Sequence, residues 1–119
     1  MEYNHLLDQA LEMSDPMKRL AYVAIYSMTL LTGVERNSTK PFNPLLGETF
    51  EFISEGFRFL AEQVSHHPPI TGCYCEGFSG YKVWTNSRAK TKFTGRALNV
   101  IPMYKTYVEL TKYGETYEI

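Results

Sequence analysis

The chain has 119 residues, 44% of them hydrophobic, with nine Tyr and seven Phe, and twelve Lys or Arg against thirteen Asp or Glu for a formal net charge of −1. That length holds at most one domain by the usual range of roughly 100–200 residues, with enough apolar content for a core and an aromatic content that leans toward β-structure. The balanced charge excludes bulk attraction to nucleic acid or to an anionic membrane, so any anion site has to be local.

Leu6, Leu7, Ala10 and Leu11 recur at helical spacing and predict a short amphipathic helix from about His5 to Met13. Asp15-Pro16 then reads as an N-cap with proline at the first helical position, opening a longer helix to about Thr32 that Gly33 is placed to end. Along it Met17, Leu20, Ala21, Ala24, Met28 and Leu31 form one stripe, expected to pack into the core. The longest apolar run, Leu20 to Leu31, is interrupted by Tyr and Ser and falls short of the roughly 20 residues of a membrane span. With no signal peptide, the reading is a reduced, soluble, cytosolic protein.

A loop with two prolines and two asparagines runs from Glu35 to Leu46. Strands are then expected at Thr49 to Ile53, Phe57 to Val64, Ile70 to Glu76, Tyr81 to Asn86, Lys92 to Ile101, Tyr104 to Leu110 and Thr116 to Ile119. Turns fall at Ser54-Glu55-Gly56, Gly77-Phe78-Ser79-Gly80 and Gly114. Short strands at spacings of about 8–12 residues indicate an antiparallel meander. The fold class is α+β, mainly β: helices over 1–33, a motif loop over 34–48, antiparallel strands over 49–119. Phe50, Phe52, Phe57, Phe59, Tyr74, Trp84 and Phe93 must face a helical layer or a barrel lumen, and periodicity favours core packing. Cys73 and Cys75 share one strand face as buried thiols, too close in sequence for an unstrained disulfide. The chain stops at Tyr117-Glu118-Ile119, inside a strand. We expect the open edge this leaves and the aromatic face to make the chain self-associate.

Two segments carry chemistry. In Glu62-Gln63-Val64-Ser65-His66-His67-Pro68-Pro69 the prolines stiffen the backbone, which is expected to run extended and to present two imidazoles in a manner suited to an anion. The second is Lys40-Pro41-Phe42-Asn43-Pro44-Leu45-Leu46-Gly47-Glu48-Thr49-Phe50-Glu51. Taken singly, Lys40 reads as a solvated loop lysine and the histidines as core or surface residues. A metal site is disfavoured, because the His pair and Cys73 and Cys75 match no familiar zinc spacing. Ser65 and His66 point to opposite faces of an extended chain and do not form a nucleophile–base pair, and no phosphate-loop, nucleophile-elbow or dinucleotide pattern occurs. Glu48 and Glu62 read as structural, Glu48 as a hydrogen-bond acceptor.

Both segments, in this order and separation, resemble the oxysterol-binding-protein family (the ORP lipid-transfer domain). Asp15-Pro16-Met17-Lys18-Arg19-Leu20 and the stretch from Phe93-Thr94-Gly95-Arg96 to Val100-Ile101-Pro102 are similar to it as well. The resemblance implies that the meander forms part of an incomplete β-barrel, the early part of a longer, nearly closed one, without the lid segment and far C-terminal residues that complete the site. It implies a non-enzymatic carrier with no cofactor and no nucleic-acid partner. Such a carrier is cytoplasmic and peripheral at membranes, exchanging a sterol or phosphatidylserine against phosphatidylinositol 4-phosphate. Lys40, Phe42, Asn43, His66 and His67 then take the headgroup. A phosphate monoester carries close to two negative charges, lysine meets it as a point charge, imidazole gains a proton beside it, and backbone amides at Phe42-Asn43 add neutral donors. The alternative is a phosphoinositide-sensing module that carries no lipid; a hydrolase is a distant third.

Overall fold

Three residues, Met13 to Asp15, break the two helices apart. Helix α1 spans His5–Glu12 and α2 spans Pro16–Thr29. Asp15 between them is extended, and its carboxylate accepts the Met17 N–H at 2.9 Å, capping α2 behind a proline that has no N–H to satisfy. Leu31 and Thr32 donate three residues back to Met28 and Thr29, so the C-terminal turn tightens just beyond the helix. The computed structural model describes residues 1–32, 42–96 and 98–119. The expected stop at Gly33 and the first part of the motif loop, Lys40 included, lie outside the described residues.

The strands are β1 (Thr49–Ile53), β2 (Phe57–His66), β3 (Pro69–Gly77), β4 (Tyr81–Ser87), β5 (Ala89–Phe93), β6 (Leu98–Pro102), β7 (Thr106–Leu110) and β8 (Glu115–Glu118). Six form one sheet in the order β1-β2-β3-β4-β7-β8, all neighbours antiparallel, and β5–β6 is a separate hairpin between β4 and β7. The fold is thus α+β, mainly β: two helices and an open antiparallel meander edged by β1 and β8. The single strand expected over Lys92 to Ile101 is instead two, because the chain reverses around Gly95 at φ +84°, a conformation open to glycine.

Register fixes which side chains share a face. Phe52, Phe59, Cys75, Val83, Val108 and Tyr117 lie in one row across the sheet. The adjacent same-face row begins Phe57, Gly77, Tyr81, Leu110. The helices cover only part of this inner face. Leu7, Ala10, Leu11, Val23 and Tyr26 meet Cys75, Tyr81, Val83, Val108 and Leu110 in the core. Gly77 is needed there, since a Cβ at this position would fall 2.1–2.5 Å from atoms of the buried Tyr81 ring.

Two expectations fail on faces. The α2 stripe Met17, Leu20, Ala21, Ala24, Met28 and Leu31 is exposed, and the helix buries Arg19, Val23 and Tyr26 instead. Apolar spacing marks a stripe without saying which side the sheet covers, and here a charged residue sits on the covered side. Arg19 is 5% exposed and fully engaged. Its Nε and Nη2 donate to Glu115 at 2.8 and 2.5 Å, its Nη1 donates to the Met13 and Ser14 carbonyls, and its guanidinium lies 3.8 Å from the Tyr113 ring centroid. It ties α2 and the α1–α2 link to the start of β8, with the fork matched to carboxylate geometry. The second failure concerns Tyr74 and Trp84. They pair with each other across β3 and β4, one residue out of step with Cys73, Cys75 and Val83, and so lie on the outer face, away from both helices. There Trp84 stacks on Tyr107 at 5.5 Å and 12°. Phe93, in the separate hairpin, is exposed rather than core.

Candidate functional site

The two motif segments are joined through backbone. Residues Leu45 to Glu48 form a tight turn: the Glu48 N–H donates to the Leu45 carbonyl, and the Glu48 carboxylate accepts the Leu45 N–H at 2.7 Å. Gly47, at φ +78°, donates to the Gln63 carbonyl at 2.8 Å, and the Gln63 N–H donates to the Glu48 carbonyl at 3.0 Å. The turn is therefore clamped to β2 three residues before His66. Glu48 acts as the acceptor expected of it.

Between Gln63 and Ser65 the β2–β3 register shifts, leaving Val64 as a bulge. His66 closes the ladder opposite Pro69, and the chain reverses at His67 and Pro68 with the bond between them cis. Glu62 to His66 run extended as expected, and the departure is confined to His67 and Pro68, which form a hairpin tip. The steric rule limits each proline's φ and leaves a strand and a turn both open. The two imidazoles meet edge to face, centroids 4.7 Å apart, with His66 half-buried and His67 exposed. Phe42 is fully exposed and Asn43 is exposed, and no hydrogen bond joins Asn43 to either imidazole among the described residues. The structure thus brings His66 and His67 together and ties the Leu45–Glu48 turn to their strand. Lys40 lies outside the described residues.

Sequence reasoning passed over Gln63. It is buried, its Oε1 accepts the Thr71 hydroxyl at 2.6 Å, and its Nε2 has no partner among the described residues. The His66 Nδ1 is likewise buried and unpartnered. Gln63 shares strand parity with Phe59 and Ala61, a signal that would have placed it on the inner face.

The inner face is hollow at the edge of the helical cover and beyond it. A cavity of about 270 Å³ is lined by Tyr26, Leu30, Phe59, Cys73, Val83 and Thr85 among others. A wider apolar recess of about 550 Å³ lies against Met1, Phe50, Phe52, Phe57 and Phe59. Burial pushes the Cys75 thiol up to about 11 and raises Cys73 and Tyr26 from their ordinary values, so these groups stay neutral. Cys73 and Cys75 are free, on one face, as expected. A wall of Phe, neutral thiols and hydroxyls can shelter apolar matter and offers little to a charge.

The site region is thus an open antiparallel wall with helices over part of one face, a hollow apolar remainder, and the Leu45–Glu48 turn clamped beside the strand that carries the His pair. The sequence profile of the oxysterol-binding protein family matches residues 1–119, and the chain belongs to that family. It is 46% identical to oxysterol-binding protein-related protein 6 of Mus musculus over 120 residues, which is 98% of this chain and 12% of that protein. It is 43% identical to oxysterol-binding protein-related protein 3C of Arabidopsis thaliana over 115 residues, 96% of this chain and 25% of that one. The Osh1 ORD domain, solved in complex with cholesterol, superposes with a TM-score of 0.85 at 39% identity, over 92% of this chain and 26% of the other. The Osh3 ORD of Saccharomyces cerevisiae, solved in complex with PI(4)P, gives 0.79 at 33% identity, over 98% of this chain and 32% of the other. The chain thus spans from about an eighth to a third of these relatives' lengths.

Proposed function

We propose that this chain forms one wall and part of the polar mouth of a lipid-transfer domain. The domain exchanges a sterol, or phosphatidylserine, for phosphatidylinositol 4-phosphate, works at cytoplasmic membrane surfaces and makes no covalent change to its cargo. The observation that carries the reading is the split inner face: helices cover one part, and the rest is an apolar hollow beside the motif segments. Desolvating and shielding a lipid tail needs nothing more reactive than that. The cholesterol and PI(4)P complexes of the two structural neighbours support the choice of cargo.

Lys40, Phe42, Asn43, His66 and His67 hold the headgroup in this reading. The imidazole pair at the hairpin tip and the motif turn clamped to Gln63 support it. The test is His66→Ala with His67→Ala in the complete protein, assayed by lipid extraction from liposomes. Losing two charge-assisted hydrogen bonds of about 1.5–3 kcal/mol each should abolish phosphoinositide extraction and spare the second lipid. Phosphoinositide binding with no second lipid extracted would favour a sensing module. As an isolated chain, the open β1 and β8 edges favour self-association, which light scattering across a dilution series would reveal.

A further inference from the structure

The charge of this chain is segregated. Residues 77–108 hold six of its twelve basic residues and none of its thirteen acidic ones. The stretch covers β4, the β5–β6 hairpin and most of β7. Four of the six, Arg88, Lys90, Lys92 and Arg96, lie on or beside the hairpin; all are exposed, and none makes an ion pair among the described residues. Lys90 stands opposite Ile101 in the ladder, and Ile101 is 50% exposed. Phe93, at the end of β5, is 72% exposed. At the hairpin's base, where the Met103 N–H donates to the Arg88 carbonyl at 2.8 Å, an open depression is lined by Ile70, Trp84, Arg88, Met103, Lys105 and Tyr107.

We propose that the β5–β6 hairpin and its base dock on an anionic lipid surface. The occupant follows from the pairing of residue types. Long, exposed cations without ion pairs among the described residues, spread along a separate two-stranded ribbon, suit a fluid plane of negative headgroups, which needs no fixed partner geometry. Exposed Phe93 and Ile101 between them have an apolar boundary to enter, and Trp84 and Tyr107 are the residues that settle at headgroup level. The surface lies outside the headgroup site, and it accounts for local attraction in a chain of near-zero net charge. Its role rests on the transfer reading, since a carrier has to touch the membrane it serves.

The experiment is sedimentation of the complete protein with vesicles of phosphatidylcholine, with and without phosphatidylserine, at low and high salt. Binding should require phosphatidylserine and weaken with salt. Lys90→Gln with Lys92→Gln and Arg96→Gln should weaken it on the order of a hundred-fold, since each basic residue near an anionic surface contributes roughly five-fold. Phe93→Asp should weaken it as well, and Lys18→Gln, on an exposed face of α2, should not. Equal binding of the triple variant and the unaltered protein, or no preference for phosphatidylserine, would overturn the proposal. So would salt-sensitive binding to an acidic polypeptide with no dependence on Phe93, which would point to a protein partner. Vesicle binding without lipid extraction would overturn the transfer reading and support the surface.

Discussion

One face of one sheet is used in two ways. Under α1 and α2 the inner residues of β3, β4 and β7 are sealed: Cys75, Tyr81, Val83, Val108 and Leu110 are core. Toward β1 and β2 the same alternation continues with larger side chains, and the face lies open, Phe50 being 60% exposed. Strand periodicity is identical in the two halves, so amphipathic pattern alone does not separate a core from a wall. What separates them is cover. Two helices totalling 22 residues reach across part of the sheet and stop.

The comparison breaks first where cover is complete. Leu7→Ala or Leu110→Ala, both at fully buried sites, should each cost about 2–5 kcal/mol in urea denaturation. Gly77→Ala should cost about 1–3 kcal/mol, because its Cβ collides with Tyr81 inside the same packed layer. The Arg19–Glu115 pair sharpens the contrast, since it pins the covering helices to the sheet. Hydrogen bonds from Arg19 and then Tyr117, together with the Arg19 charge, hold the Glu115 carboxyl down at about 2 from an ordinary 4.5. A depressed carboxyl stabilises the fold above its unfolded value, and that contribution is lost as pH falls from about 4.5 toward 2. Glu115→Gln should therefore be less stable at neutral pH and should lose less stability over that acid window, as read from Tm against pH. The smallest effect is expected on the open half: Phe52→Ala should cost about 1 kcal/mol or less in stability, while reducing uptake of the apolar lipid by the complete protein.

Much of this was legible in residue order. The capped start of α2, the limits of β1, the Gly114 turn and the shared face of Cys73 and Cys75 all follow from local rules, and the structure keeps them. Local rules fail where a distant element decides. Nothing near Arg19 announces Glu115, 96 residues away, so the buried side of α2 was read from apolar spacing and assigned to the wrong stripe. Tyr74 and Trp84 were misplaced for a different reason. Their parity against Cys73, Cys75 and Val83 sets them on the outer face, and aromatic bulk by itself does not mark the inner side. At the site, the clamp between Gly47, Glu48 and Gln63 could not be read because it is made by backbone groups, which carry no residue signature. The motif segments marked the right region, while the hairpin tip at His67-Pro68 needed the pairing of β2 with β3 to be seen.

The central claim is that the uncovered half of the inner face is a lipid wall. Its most direct test is photocrosslinking of a diazirine-bearing sterol to the complete protein, with adducts mapped by peptide mass spectrometry. The account predicts labelling at Phe50, Phe52, Phe59 and Cys73, suppressed by unlabelled sterol. Competed labelling concentrated instead on Tyr74, Trp84 and Tyr107 would place the lipid on the outer face and contradict it.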